Sequence, residues 1–453
     1  NSINLPALQR VGGTVNINNN HELDTLNLDM LEDVSSYFEF RFNYDIETFS
    51  TPMLTHVGGV LQFEDNSELL AIVAPNLATI GGALQIRRSY DLHTIDFSSI
   101  ACVSDFVIED HSISDDDYYD LLLLLTCTSE GSLLVFRAID ADAFCASGET
   151  VVEDLNINGE LAGDESFDLS CITEVNGRLE IESTNSPLID LSGLLRVEEE
   201  VDIHDNLGLT SIDLSSLADL DGPLKIQYND ELQDLDLSSL TVVDGMLEVY
   251  GNPEVETIDL RSLEEIKDSA YISSNSSLEN LDLSSLVEVD DTFEFQHNES
   301  IEVFSAPSFE EVGEQLYLNN NYQLESINLP ALRQVGGTVN INNNHDLETL
   351  NLDALEDVNS YFEFRFNYKV ERFSTPMLTH VGGVLQFEDN TDLLEISAPS
   401  LTTIGGALQI RRSYDLHTID FSSITCVSDF VIEDHALSES DYHELLTALT
   451  MGC

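Results

Sequence analysis

Apolar residues recur along this chain with a period of 23. In SIDLSSLADLDGPLKIQYNDELQ (211–233), DLDLSSLTVVDGMLEVYGNPEVE (234–256) and TIDLRSLEEIKDSAYISSNSSLE (257–279) they favour unit positions 2, 4, 7, 10, 14, 16 and 22. Positions 14 and 16 alternate with polar 13, 15 and 17, a period of two that predicts a strand with one buried face. Leu247 and Val249 are therefore expected to point inward. One unit cannot bury its apolar side alone, whereas stacked units bury a continuous core. The pattern predicts an all-β solenoid of parallel strands, one coil per 23-residue unit.

Two further columns support this reading. Gly-Gly or Asp-Gly often precedes the strand, where a tight turn needs small or φ-tolerant residues. Position 19 is nearly always asparagine: Asn20, Asn43 and Asn66, then every coil from Asn206 to Asn390. Such a column is expected to point inward, its amides bonding the turn backbone of neighbouring coils. Asn275-Ser-Ser and Asn298-Glu-Ser are glycosylation sequons, but both asparagines sit in this column and are expected to be inward and unmodified.

The core L-x-I-x-x-N-x-x-L of each unit resembles leucine-rich repeats. The fuller form, I-x-L-x-x-L-x-x-V-x-G-x-L-x-I-x-x-N, is similar to the receptor L domain, and the resemblance covers almost the whole chain. It implies a right-handed parallel β-helix of the kind found in insulin- and EGF-type receptor ectodomains and in fungal and microbial surface proteins. It carries over no ligand-contact motif.

GGTVNINNNHELDTLNL (12–28) returns as GGTVNINNNHDLETLNL (336–352), and residues 2–126 align without gaps to 326–450. Within the coils the copies differ mainly at outward positions, as in Gln9/Arg333, Asp45/Lys369 and Thr48/Arg372, while the apolar positions 2, 4, 7, 10, 14 and 16 are unchanged. Short helical C-terminal caps are expected at SISDDDYYDLLLLLTCT (112–128), with Ser114 as N-cap ahead of three aspartates, and again at ALSESDYHELLTALTMGC (436–453). The expected organisation is the C-terminal part of one module at 1–128, a linker at 129–144 and a complete module at 145–453. Ile3, Leu5, Val15 and Ile17 would then face an open edge. A natural protein built as a tandem array of such modules is the expectation.

Charge changes the picture. Eighty-five acidic residues oppose sixteen Lys and Arg, a formal net charge of −69, with lysine only at Lys225, Lys267 and Lys369. Such a chain is repelled by nucleic acid and anionic membrane surfaces and suits a cation-rich medium. No apolar run is long enough to span a bilayer. Six cysteines allow fifteen connectivities; nearest-neighbour pairing would give Cys102–Cys127, Cys145–Cys171 and Cys426–Cys453. With no CxxC pair, zinc or redox-dithiol readings are disfavoured, and disulfides place the chain outside the cell.

No nucleophile elbow, P-loop, HExxH or dinucleotide fingerprint is present, so a non-enzyme without a cofactor is expected. His111 beside Asp115–Asp117, repeated at His435, is better read as a solvated cap than as a metal site; diffuse calcium binding to acidic faces is the wider expectation. The sharpest outward feature is a stripe at position 17, Asn18, Arg41, Glu64 and Arg87 with Arg88 adjacent, repeated as Asn342, Arg365, Glu388, Arg411 and Arg412. The bland reading is an ion-pair ladder, Arg41–Glu64–Arg87. The sharp one is a protein-contact patch with Tyr37, Phe42, Tyr44 and Tyr90, and with Tyr361, Phe366 and Tyr368 in the second copy, reversing the local sign to meet an acidic turn such as Glu198–Glu200. The function expected is an extracellular structural or adhesive repeat protein, a filament segment acting through self-association or contacts with other extracellular proteins. The alternative is a receptor-type ectodomain for a soluble ligand.

Overall fold

In the computed structural model, each 23-residue unit closes one coil through three short parallel strands. The structure describes residues 1–103, 105–126, 131–158 and 165–450, with backbone alone at Cys426 and Ser428. Ser211–Asp213, Asp219–Leu220 and Leu224–Gln227 make one coil; Asp234–Asp236, Val242–Val243 and Leu247–Tyr250 make the next. The four-residue strands pair in parallel with their counterparts one unit on, so Leu224 meets Leu247 and then Ala270, and Ile226 meets Val249 and then Ile272, whereas the three-residue strands pair in shorter sheets interrupted between some coils. The four-residue strand was legible in the alternation of positions 14 to 17. The two shorter strands are not, because two or three residues are too few to display a period of two.

The chain forms two compact units, Asn1–Glu130 and Gly131–Cys453. Within the second, the two- and four-residue strands form one sheet of 25 strands, from Leu133–Val135 to Cys426–Ile432. In the first, the four-residue strands and Phe106–Ile108 form a five-stranded sheet. The core follows the predicted columns: Ile212, Leu214, Leu217, Leu220, Leu224, Ile226 and Leu232 are all buried. Phenylalanines widen it locally, Phe49 standing edge-on to Phe63 with centroids 4.8 Å apart and Phe373 repeating this on Phe387 at 4.8 Å.

The asparagine column is an internal hydrogen-bond ladder. Asn229 donates its backbone N–H to Asn252 Oδ1 (3.0 Å), and its Nδ2 donates to the Ile203 carbonyl (3.0 Å). Asn275 and Asn298, the sequon asparagines, are fully buried members. Thr184 opens the ladder in the second unit by donating its N–H to Asn206 Oδ1 (2.9 Å). Just before the ladder residue, position 18 adopts the left-handed region in coil after coil, with φ near 53–60° at Tyr228, Asp205, His297 and Ser274, and Gly251 taking φ 68°. This turn was not read from the sequence, since Phe, Arg and Tyr carry no left-handed preference. Its N–H continues the ladder: Tyr228 N–H donates to the Tyr250 carbonyl at 3.1 Å. The glycines at position 11 serve another need than φ. A Cβ at Gly336 would lie 1.8 Å from the Gly313 carbonyl oxygen of the neighbouring coil.

Helix α1, Asp115–Leu125, is capped by Ser114, whose hydroxyl accepts from Asp117 N–H at 3.3 Å, and it buries Tyr118, Leu121, Leu122 and Leu125. The expected linker at 129–144 is corrected over its described part. Strand Leu133–Val135 and helix α2, Ala138–Ser147, occupy it and contribute Val135 and Ala141 to the core of the second unit. The Asp140 carboxylate accepts from the N–H groups of Phe136 (3.0 Å) and Arg137 (2.9 Å), and Gly148 ends the helix at φ 82°. Cys145 on α2 is disulfide-bonded to Cys171 with 5.6 Å between Cα atoms. Cys102 is disulfide-bonded; its expected partner Cys127, like Cys453, lies outside the described residues, and so does the side chain of Cys426. Helix α3, Glu439–Thr450, repeats the Ser cap through Ser438, which accepts from Asp441 N–H (3.1 Å), and buries Leu445 and Leu449. At the other edge, Leu5 is 47% exposed, whereas its equivalent Leu329 is fully buried. Ile3 and Val15 are half-buried and Ile17 is buried, so the expected open edge falls mainly on Leu5.

Candidate interaction face

Because inward residues occupy positions 14 and 16, positions 13, 15 and 17 stand outward as columns. Coils stack about 4.8 Å apart, so neighbours within a column touch. The predicted stripe lies there. Arg41 pairs with Glu64 at 2.5 Å across the coil boundary, and Glu64 is largely buried beneath it. The other side of Glu64 is taken by Arg88, not Arg87, which corrects the expected ladder. Arg88 sits at φ 48°, and this left-handed backbone turns its guanidinium back over Glu64 and onto Asp65 at 2.9 Å. Arg87 instead pairs with Glu109 at 3.2 Å. The Asp65 hydrogen bond, with the charges of Asp65 and Glu64, holds Arg88 well above the ordinary arginine range despite partial desolvation.

The second copy repeats the outer part and varies the inner. Arg412 bridges Glu388 and Asp389, the latter at 2.7 Å, and Arg411 pairs with Glu433 at 3.3 Å. Arg365 turns to Glu363 on its own strand at 3.0 Å. Every stripe arginine therefore has a carboxylate partner in its own unit, which corrects the reading of a locally reversed sign. The suggested acidic counterpart is also compensated: Glu200 pairs with Lys225 at 2.6 Å and Arg178 at 3.3 Å, and Glu198 with Arg196 at 3.4 Å.

The aromatic residues of the candidate patch divide into two groups. Tyr37 and Tyr361, at position 13, are each 48% exposed on the sheet face. Four residues along the strand, about 13 Å away, Arg41 lies 5.3 Å from the Phe42 ring centroid in a cation–π contact, and Phe42 and Phe366 are half-buried on the left-handed turn. Beyond that turn, position 20 forms a separate ring ladder. His21 packs on Tyr44 at 4.6 Å; Tyr322, His345 and Tyr368 stack successively at 4.9 and 4.8 Å. Tyr90 and Tyr414 occupy the same column and are each 56% exposed. The turn thus separates Tyr44, Tyr90 and Tyr368 from the strand-face arginines.

The histidines near the caps have structural partners. His111 Nδ1 accepts from Ile113 N–H at 3.2 Å and its ring packs on Tyr118 at 4.7 Å; burial lowers its pKa against the opposing charge of Asp110. His435 repeats this with Leu437 (3.2 Å) and Tyr442 (4.9 Å).

A second part of the face escaped the sequence reading. Tyr271, Glu294 and Tyr317 are successive members of column 15, in register across three coils. Burial raises the Glu294 carboxyl above its ordinary range although Gln296 donates a hydrogen bond to it, and burial beside Glu294 likewise raises Tyr317. The serine-rich coil at 273–276 opens a notch of about 680 Å³ whose walls include Glu248, Tyr250, Tyr271, Glu294, His297 and Glu299. Tyr250 is held edge-on to Tyr228 at 5.3 Å. Reading the outward columns across coils, rather than along the chain, is the signal that finds these residues.

No family model matches the chain, and no curated protein matches it. Among solved structures, a leucine-rich repeat protein from Eubacterium ventriosum shares 14% identity over 64% of this chain and 84% of its own, with a TM-score of 0.24. A TLR13–ssRNA13 complex shares 13% identity over 96% of this chain and 81% of its own, with a TM-score of 0.20. At these scores neither likeness carries an argument. The solenoid rests on the chain's own coils, and the receptor L-domain similarity stays at the level of the repeat pattern.

Proposed function

We propose that this protein is an extracellular interaction scaffold, a structural or adhesive segment that engages other proteins through the outward columns of its long sheet. The observation that carries the reading is repetition. The columns Asn18–Arg41–Glu64–Arg87 and Asn342–Arg365–Glu388–Arg411 present one surface twice, with Tyr37 and Tyr361 exposed beside them. Two copies of one face on one chain favour multivalent assembly, in which linked weak contacts gain avidity. An extracellular location is supported by the Cys145–Cys171 disulfide and by an acidity suited to a cation-rich medium. Among the described residues no helix is long and apolar enough to cross a membrane. The second reading, an ectodomain for a soluble ligand, is favoured by the Tyr250–Tyr271 notch.

Because the arginines are committed within each unit, the exposed tyrosines are the better probe of assembly. Static light scattering of the full chain across salt and calcium concentrations is expected to show association that the double variant Tyr37→Ser, Tyr361→Ser loses while its circular dichroism is unchanged. A parent chain that stays monomeric under every condition would sink the filament reading.

A further inference from the structure

The four-residue strand Leu179–Glu182 places Glu180 and Glu182 two residues apart, hence on one outward face. The next coil is one residue short, and its strand Val201–His204 pairs so that His204 stands directly beside Glu182. Ligand atoms of Glu180, Glu182 and His204 then lie within 4.8 Å of one another, the only such group of three among the described residues. We propose that these three side chains form a binding site for a divalent metal ion of the zinc class.

The chemistry favours a borderline metal over calcium. Two carboxylates and one imidazole form a mixed oxygen–nitrogen set of three protein ligands, the ligand number and donor types of an open zinc site, whereas calcium takes six to eight oxygens. The surroundings orient each ligand. His204 Nδ1 lies 3.0 Å from Asp205 Oδ2, the carboxylate–histidine contact that fixes the tautomer and leaves Nε2 as the electron-pair donor. Asn156 Nδ2 donates to Glu180 Oε2 at 2.8 Å, and Asn158 Nδ2 donates to Glu182 Oε1 at 3.2 Å. Carboxylate oxygens carry further lone pairs, so these amides position the ligands without consuming them. All three ligands are half-buried, which spares them part of the competition with bulk water.

One group opposes the ion. Arg178 lies 3.1 Å from Glu180, but it also holds Asp202 at 2.6 Å and Glu200 at 3.3 Å. It therefore keeps two carboxylate partners when a metal takes Glu180.

Cobalt(II) is the probe, because its visible absorption reports low-coordinate nitrogen–oxygen ligation. The full chain is titrated in about 0.5 M salt, where the Debye length falls below about 8 Å and diffuse binding to the acidic surface is suppressed. One equivalent of cobalt is expected to develop an absorption band that zinc abolishes and equimolar calcium does not. His204→Gln, with circular dichroism unchanged, should lose the band and at least tenfold in affinity. Asp205→Asn should weaken binding by about tenfold, and Arg178→Gln should tighten it. Equal cobalt titrations for the parent and His204→Gln, or displacement of cobalt by equimolar calcium, would overturn the site in favour of diffuse carboxylate binding.

Discussion

Asn252 and Asn275 are joined twice through one oxygen. The backbone N–H of Asn252 donates to Asn275 Oδ1 at 3.1 Å, and Asn252 Nδ2 lies 3.4 Å from the same atom while donating at 2.9 Å to the Ile226 carbonyl. One side chain thus bridges three consecutive coils in a fully buried setting. Replacing Asn252 with Ala strands the Asn229 N–H away from water and removes a side-chain partner from Asn229 Nδ2 and from the Ile226 carbonyl. A loss of about 2–4 kcal/mol is expected, since each buried unsatisfied polar group costs about 1–3 kcal/mol. Asn252→Asp should be worse, because it keeps the acceptor, loses the donor and brings charge inside. Urea unfolding monitored by circular dichroism checks both, and a neutral Asn252→Ala would refute the ladder's structural role.

Leu5 and Leu329 occupy the same position of the same coil in the two copies, one largely exposed and the other fully buried. Leu329→Ala is expected to cost about 2–4 kcal/mol by cavity formation, and Leu5→Ala a small fraction of that. Hydrogen exchange resolved by peptide would measure each in its own unit. Equal effects at the two sites would contradict the burial difference.

Position 18 tests the backbone. Ser274 sits at φ 60°, where a β-branched side chain is strained and glycine is not. Ser274→Gly should be neutral or mildly stabilising, and Ser274→Val should destabilise by about 1–3 kcal/mol. Thermal melts of the two variants should move apart; a valine variant that melts with the parent would argue against the left-handed turn.

The carboxyls of Glu180, Glu288 and Glu294 are raised, in each case chiefly by burial. A raised carboxyl binds its proton more tightly in the folded state, so stability grows as pH falls toward the ordinary glutamate range. Asp168 and Asp259 are lowered, chiefly by hydrogen bonds from Ser170 and Arg261, and act oppositely: their contribution is lost at more acidic pH still. Melting temperature is therefore expected to rise on mild acidification from neutrality and to fall below the ordinary aspartate range. Glu294→Gln should melt higher than the parent at neutral pH and show a shallower rise. A parent profile that only declines from neutrality would contradict the assignment.

Legibility followed period. Leu247, Val249 and the asparagine column were readable because each recurs at one offset, and Ser114 because a capping serine ahead of three aspartates is a local signal. Helix α2 was not, since AIDADAFCAS has no apolar stripe and buries only Ala141. The partner of Glu64 was misassigned to Arg87 because a left-handed turn at Arg88 leaves no trace in an arginine. Glu180, Glu182 and His204 were missed for a geometric reason. Their coils depart from strict period, Glu182 aligning with Asn158 on one side and His204 on the other, so a fixed 23-residue frame places them in different columns.

In the Gly131–Cys453 unit the Cys145–Cys171 disulfide pins the first coils; between Cys171 and Cys426 the backbone hydrogen bonds between coils run along the stacking direction, and the polypeptide itself is the covalent link from one coil to the next. Tension applied along that direction therefore peels the terminal coil before it strains the next one, and each coil released lets out about 23 residues of slack chain. Such a unit yields in small increments rather than in one rupture, and it re-forms from the remaining stack, which already presents the template for the coil just lost. Mechanical compliance, in this protein, is a property of the repeat length.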